Sequence, residues 1–158
     1  YIIYAFRNID QAYLYAIAAI ITLIHDVFVV MGLFIIISLF LGSTVNSIFI
    51  VGILTVIGYS VNDTIVIFDR LRENITLNKS MEYLSVVNKS VMESVTRSLG
   101  TSITTSMVIL AMLLFGGQSL RDFLIVLLLG VVIGTYSSIF VASNIMLVWR
   151  YGLRKKSN

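Results

Sequence analysis

The sequence contains no cysteine, no proline, a single histidine and only 12% charged residues. Without cysteine there is neither a disulfide framework nor a thiolate metal site. One histidine cannot build a histidine-rich metal site. Without proline, any helix kink must come from glycine or serine pairs. The shortage of charge excludes most. A soluble domain carries about 25% charged residues, and this chain is instead 58% hydrophobic with a mean hydropathy of +0.99. It reads as a membrane protein or a piece of one. No Walker-type phosphate loop occurs, so ATP is not its energy source. Neither an enzyme nor a nucleic-acid binder is expected. The chain does not begin with Met. Its first residues, Tyr1 to Phe6, read as the tail of an apolar helix cut by the start of the sequence, not as a signal peptide.

Four apolar segments are present: helix A over 11–40, helix B over 46–68, helix C over 98–115 and helix D over 123–149. Each meets or exceeds the ~18–20 residues that cross about 30 Å of hydrocarbon. The expected fold is an all-α, polytopic transmembrane bundle in a single domain, with four full spans plus the end of another. Ten of the eleven Lys and Arg residues fall on one side of an up-and-down path: Arg7 before A, five between B and C, four after D. Only Arg121 falls on the other. The positive-inside rule makes the rich side cytoplasmic and puts both ends there. The 150–158 stretch then reads as a cytoplasmic tail, with Trp149 and Tyr151 in an interfacial belt.

The connector at 70–97 repeats Met81, Leu84, Val87, Val91 and Val95 at helical spacing. This predicts an amphipathic helix on the membrane surface. An ordinary solvated linker is the alternative. Ser90 and Glu93 fit a capping box for a final segment running into helix C. Small residues recur every fourth position at Gly130, Gly134, Ser138 and Ala142, and again at Ser98, Ser102 and Ser106. Such stripes let helices approach closely in lipid.

Ionisable residues inside apolar spans carry an insertion cost of at least ~2.5–3.5 kcal/mol. His25 and Asp26 lie mid-way along helix A and read either as a proton-relay or docking pair or as a polar packing pair. Asn62 and Asp63 lie in helix B, about a turn and a half from its expected end. Asp63 shares a face with Tyr59, Val56 and Gly52, and is either a proton carrier or a partner for a neighbouring helix. Arg97 opens helix C ahead of Thr101, Thr104 and Thr105, which form a polar stripe running inward. Its alternative is a snorkelling side chain. If B and C pack together, Asp63 and Arg97 stand at similar depth and can form a protonation-controlled gate. The charged run from Asp69 to Asn74 is either a solvated boundary or a partner for the connector.

The stretch from Ile57 to Asn74, IGYSVNDTIVIFDRLREN, resembles the signature of the SecF family, the membrane subunits of the SecD–SecF protein-export factor. His25-Asp26-Val27, Arg97 with Thr101 to Ser106, and Ile133 to Ser143 extend the resemblance over essentially the whole chain. In SecD the acid comes one position earlier, where this chain has Asn62. The resemblance implies an RND-like, pseudo-symmetric helix bundle formed with SecD in a bacterial or archaeal cytoplasmic membrane. It also implies assistance to SecYEG, with YajC as a further candidate partner, and a preprotein substrate. The energy source would be the proton motive force, with the proton as coupling ion and no cofactor. The family's membrane-embedded charges map onto Asp63 and Arg97. The matching SecD acid and a large periplasmic domain would lie outside this sequence. An RND-like exporter of lipid or small molecules, or a passive translocon scaffold, are the competing functions.

Overall fold

The computed structural model describes residues 2–7, 12–42, 45–78 and 80–156, without side-chain detail for residues 41 and 150–156. The expected helix start at Gln11, Lys79 of the connector, and the side chains of Tyr151 and the basic tail lie outside this description. The described residues are helical, with no strand among them. Helix α1 covers Ile2–Ala5, α2 Ala12–Leu41, α3 Ser47–Leu77 and α4 Tyr83–Phe115. A short 3₁₀ turn, Gln118–Leu120, leads into α5, Arg121–Ser137. A π turn, Ser138–Ala142, joins α5 to α6, Ser143–Lys156. Four helical stretches are long and apolar enough to cross a membrane: Ala12–Phe40, Ser47–Leu77, Tyr83–Phe115 and Gln118–Trp149.

Helix ends follow local chemistry. Gly42 adopts φ +66°, and its N–H bonds Ser38 O at 2.9 Å, a left-handed stop that suits glycine. Asn46 caps α3 by accepting from Phe49 N at 2.9 Å. Helix α3 runs nine residues past its expected end at 68. The charged run continues the helix because its side chains pair on the helix surface, as in Arg70 Nη1 to Glu73 Oε2 at 2.6 Å.

Among the described residues, the 70–97 stretch does not form the separate surface helix expected of it. Its first part extends α3 to Leu77, and its last part begins α4 at Tyr83. Ser90 is consequently not a cap. It sits inside α4, donates to Val86 O at 2.7 Å and accepts from Asn74 Nδ2 at 3.0 Å. Glu93 likewise joins α3, accepting from Arg70 Nε at 2.7 Å and Asn74 Nδ2 at 2.8 Å. The apolar rhythm of this segment serves a helix pair. Val86 and Val87 are buried against α3, whereas Met81 and Leu84 are exposed.

Helix α5 is the centre of the bundle and touches α2, α3 and α4. Half of the apolar window in the last span is buried within the chain, against 17% for α4, so α4 is the more peripheral helix. Close approach of α5 to α3 depends on glycine. A Cβ on Gly130 would lie 2.1 Å from Val56 Cγ2, and one on Gly134 would lie 3.4 Å from Ser60 Cα. The stripe Gly130, Gly134, Ser138 is therefore the α3 contact face of the last span.

The buried apolar residues form layers. At the charged end, Tyr15, Ala18, Ile67, Phe68, Leu71, Val86, Val87 and Met146 cluster together. At the other end, Val30, Phe34, Phe49, Val56 and Val126 form a second cluster. Ile109, Leu124 and Val131 form a third beside it. Most of the buried polar residues fall between these apolar layers, with Asn74 and Ser143 at the charged end among the exceptions.

Candidate polar site within the bundle

The polar layer comprises Asp26, Ser60, Asp63, Thr64, Ser98, Ser102, Thr135, Ser137 and Ser138, all buried. It brings together α2, α3, α4, α5 and the π turn. Buried polar groups need partners, and most of these find them across helices.

Asp26 is wholly buried on α2. Ser60 of α3 donates to its Oδ2, and Ser137 of α5 donates to the same oxygen at 2.7 Å. His25 Nδ1 lies 3.1 Å from Asp26 Oδ1, so the adjacent pair does interact. One carboxyl thus ties three helices. Thr64 and Ser138 share a hydrogen bond of 2.8 Å that joins α3 to the π turn. On the α4 side, Tyr59 and Ser102 hydroxyls are 3.0 Å apart, and Ser102 also bonds the Thr135 hydroxyl. That chain links α3, α4 and α5.

Asp63 differs from Asp26. It is 8% exposed, and its Oδ2 is buried without a hydrogen-bond partner. Ser98 of α4 stands beside it, yet the Ser98 hydroxyl makes no hydrogen bond of normal geometry. The layer therefore contains one carboxyl saturated by donors and one that is not. Because α3 continues to Leu77, Asp63 is mid-helix and not close to a helix end.

Arg97 and its threonines do not face this layer. Arg97, Thr101 and Thr104 are exposed and Thr105 is half-buried, while Ser94, Ser98 and Ser102 form the inward face of α4. Thr101 donates to Arg97 O at 3.0 Å and Thr104 to Gly100 O at 3.0 Å. Their hydroxyls are satisfied by their own helix, so nothing forces them inward. Among the described residues, no ion pair joins Asp63 to Arg97. Asn62 is also exposed. A polar cleft of about 480 Å³ lies at the charged end of the α3–α4 seam, lined by Asp69, Arg70, Glu73, Glu93, Ser94 and Arg97 among others. Ser94 is one turn from Ser98, so the cleft ends one turn short of Asp63.

Ser98, Ser102 and Ser138, expected as packing residues, belong to this polar layer, and so do Ser60, Thr64 and Ser137, which nothing in the sequence alone distinguishes. The four-residue serine rhythm was the available signal. It begins two turns earlier than Ser98, at Ser90 and Ser94, both buried. The Tyr59–Ser102–Thr135 chain has a measurable consequence. Tyr59→Phe is expected to lower stability by about 0.5–1.5 kcal/mol, and Tyr59→Phe with Ser102→Ala by less than the sum. Thermal unfolding of the purified full-length protein checks both the cost and the non-additivity.

Fold and site together define a multi-pass helical membrane protein with a hydrogen-bonded polar layer at the centre of its bundle. Residues 1–152 match the family model described as protein export membrane protein SecD/SecF, C-terminal, and the chain belongs to that family. It is 44% identical over 149 residues to protein translocase subunit SecF of Thermobaculum terrenum, covering 94% of this chain and 47% of that protein. It is 42% identical over 153 residues to the SecF subunit of Anaerolinea thermophila, covering 96% and 50%. The chain thus spans about half the length of these relatives. Among solved structures, SecDF in its super-membrane-facing form superposes with a TM-score of 0.83 at 37% identity, over 92% of this chain and 19% of that one. SecDF from Thermus thermophilus, described as a translocon-associated membrane protein, gives 0.81 at 37%, over 95% and 20%.

Proposed function

We propose that this chain is the membrane region of a SecF-type subunit that couples inward proton movement to outward preprotein movement through a Sec channel. The observation that carries this reading is Asp63, a carboxyl buried mid-helix with one oxygen unpartnered. An intramembrane acid is costly, and one with an open oxygen has room to take up and release a proton. The polar cleft ending one turn from Ser98 gives a water-accessible approach from the charged end. The weight of basic residues makes that end cytoplasmic, in the bacterial or archaeal cytoplasmic membrane.

Arg97 then acts toward a partner. It is a permanent cation on the exposed face of α4, beside Thr101 and Thr104. Arg97 also lines the polar cleft at the charged end, where a carboxylate on a facing subunit would pair with it. SecD is the proposed partner, since the matching structures are named SecDF and this region covers about a fifth of each of those chains. SecYEG and YajC are the proposed wider assembly. No cofactor is proposed beyond the proton. One charge crossing about 100 mV supplies about 2.3 kcal/mol, enough to bias a two-state equilibrium strongly.

These 158 residues contain no cysteine, so a single one introduced here marks this face. A Thr101→Cys variant of the full-length protein is expected to cross-link to cysteines placed in SecD. A cysteine replacing the buried Ser137 is not. Function itself is tested in cells depleted of SecF. The full-length protein should restore export of a secreted reporter, and a protonophore should remove the restored part while ATP is maintained. Restoration that is insensitive to the protonophore would indicate a passive scaffold.

A further inference from the structure

We propose that Asp26 is a second proton-binding carboxyl, separate from Asp63, whose charge state decides whether α2 is pinned to α3 and α5 at the π turn. Proton coupling through Asp63, as proposed above, is presupposed, and Asp26 is a group which that coupling does not use.

The geometry is that of a latch. Ser60 and Ser137 both donate to Asp26 Oδ2, while His25 meets Oδ1. An ionised carboxyl is acceptor-only, whereas a protonated one must place its own proton on one oxygen. A proton placed on Oδ2 takes one of the acceptor positions that the two serine hydroxyls share. Ser137 has somewhere else to go, because the Gly134 carbonyl of its own helix lies 3.1 Å from its Oγ. Ser137 can leave Asp26 without becoming an unsatisfied buried hydroxyl, which removes the usual obstacle to such a release.

The bond sits where the last span is least regular. Ser137 is the final residue of α5, and the next five, Ser138–Ala142, form the π turn. Ser138 N is shared between the Gly134 and Thr135 carbonyls. A π turn inside an α-helix offers a place where backbone register can change. Thr64 holds the next residue, Ser138. Release of Ser137 therefore frees one of two side-chain ties at this turn and leaves the other.

His25 links the site to the surface of the chain. Its Nδ1 is on Asp26, and its side chain is 39% exposed at the surface of the chain, while that of Asp26 is fully covered. The groups facing Asp26 are few. From α2 there is His25, and α3 and α5 present only the hydroxyls of Ser60 and Ser137. The π turn and residues 143–149 of α6 contain no ionisable side chain. Asp63, three residues beyond Ser60, is turned toward Ser98 of α4.

The test is infrared difference spectroscopy of the complete SecD–SecF complex in lipid, following the carboxylic-acid C=O stretch as pH is stepped. Two buried bands are expected. Asp63→Asn should remove one and Asp26→Asn the other. The milder His25→Gln and Ser137→Ala should keep the Asp26 band, move its midpoint by about one pH unit or more, and leave the Asp63 band in place. Spectra of Asp26→Asn that superimpose on the parent would overturn the proposal. If Asp26→Asn does not fold, unchanged midpoints in both milder variants would overturn it equally. Absence of an Asp63-dependent band, with an Asp26-dependent band present, would instead contradict coupling through Asp63 and leave the second site standing.

Discussion

Asp63→Asn in the full-length protein is expected to reduce proton-dependent export by about fiftyfold at normal protein abundance. The size follows from the loss of one coupled charge, about 2.3 kcal/mol at 100 mV, with 1.36 kcal/mol for each factor of ten. Asparagine keeps the shape and even adds donors that can meet Ser98, so folding should survive while proton binding cannot. Asp63→Glu should retain part of the activity. Arg97→Lys keeps the charge but loses the planar fork that suits a carboxylate, and a partial loss is expected. Full activity in both Asp63→Asn and Arg97→Lys would rule out a switch built on these two residues. The readout is secretion of a reporter with immunodetection of the subunit.

Gly130→Ala has the second largest expected effect, this time on folding. Its Cβ would fall 2.1, 2.7 and 2.9 Å from the Cγ2, Cγ1 and Cβ atoms of Val56, itself fully buried. Neither can yield without moving α3 against α5, and α5 also packs on α2 and α4. Overpacking of this kind costs about 1–3 kcal/mol, and the upper end is expected because a β-branched residue cannot rotate away. Gly100→Ala is the control, since nothing lies within 4 Å of its Cβ position. Adding Val56→Ala to Gly130→Ala removes the two closest contacts and should restore most of the loss. Folded yield and unfolding temperature of the full-length protein are the measurements. Equal stability of Gly100→Ala and Gly130→Ala would contradict the close α3–α5 contact.

The spans were legible because hydropathy over ~20 residues is set by the lipid alone and needs no knowledge of neighbours. The ends of α3 and α4 were not. Charges from Asp69 to Asn74 suggest a boundary when read singly, but on a helix Arg70 meets Glu73 and reaches Glu93 of α4. Asp63 stood out through the cost of an acid in an apolar run. Ser60 and Ser137 did not, because serine is unremarkable in a membrane helix until a partner is known. The partner here is Asp26, 34 and 111 residues away. Arg97 with Thr101, Thr104 and Thr105 is legible either as a polar stripe or as a snorkelling arginine, and spacing alone does not choose between them. Thr101 and Thr104 instead bond their own backbone, and the polar face that does turn inward is the run of serines at 90, 94, 98 and 102. Among the described residues no Asp63–Arg97 ion pair forms, because Arg97 is on the exposed face of α4 and Asp63 is buried.

Proton flux into liposomes holding the complete SecD–SecF complex tests the role of Asp63 most directly, with an imposed pH gradient and potential and a pH-sensitive dye inside. The expected result is a flux with the parent complex that is abolished by Asp63→Asn, while Gly100→Ala leaves it unchanged. An Asp63→Asn complex that is intact, correctly inserted and as permeable to protons as the parent would contradict Asp63 as the coupling site.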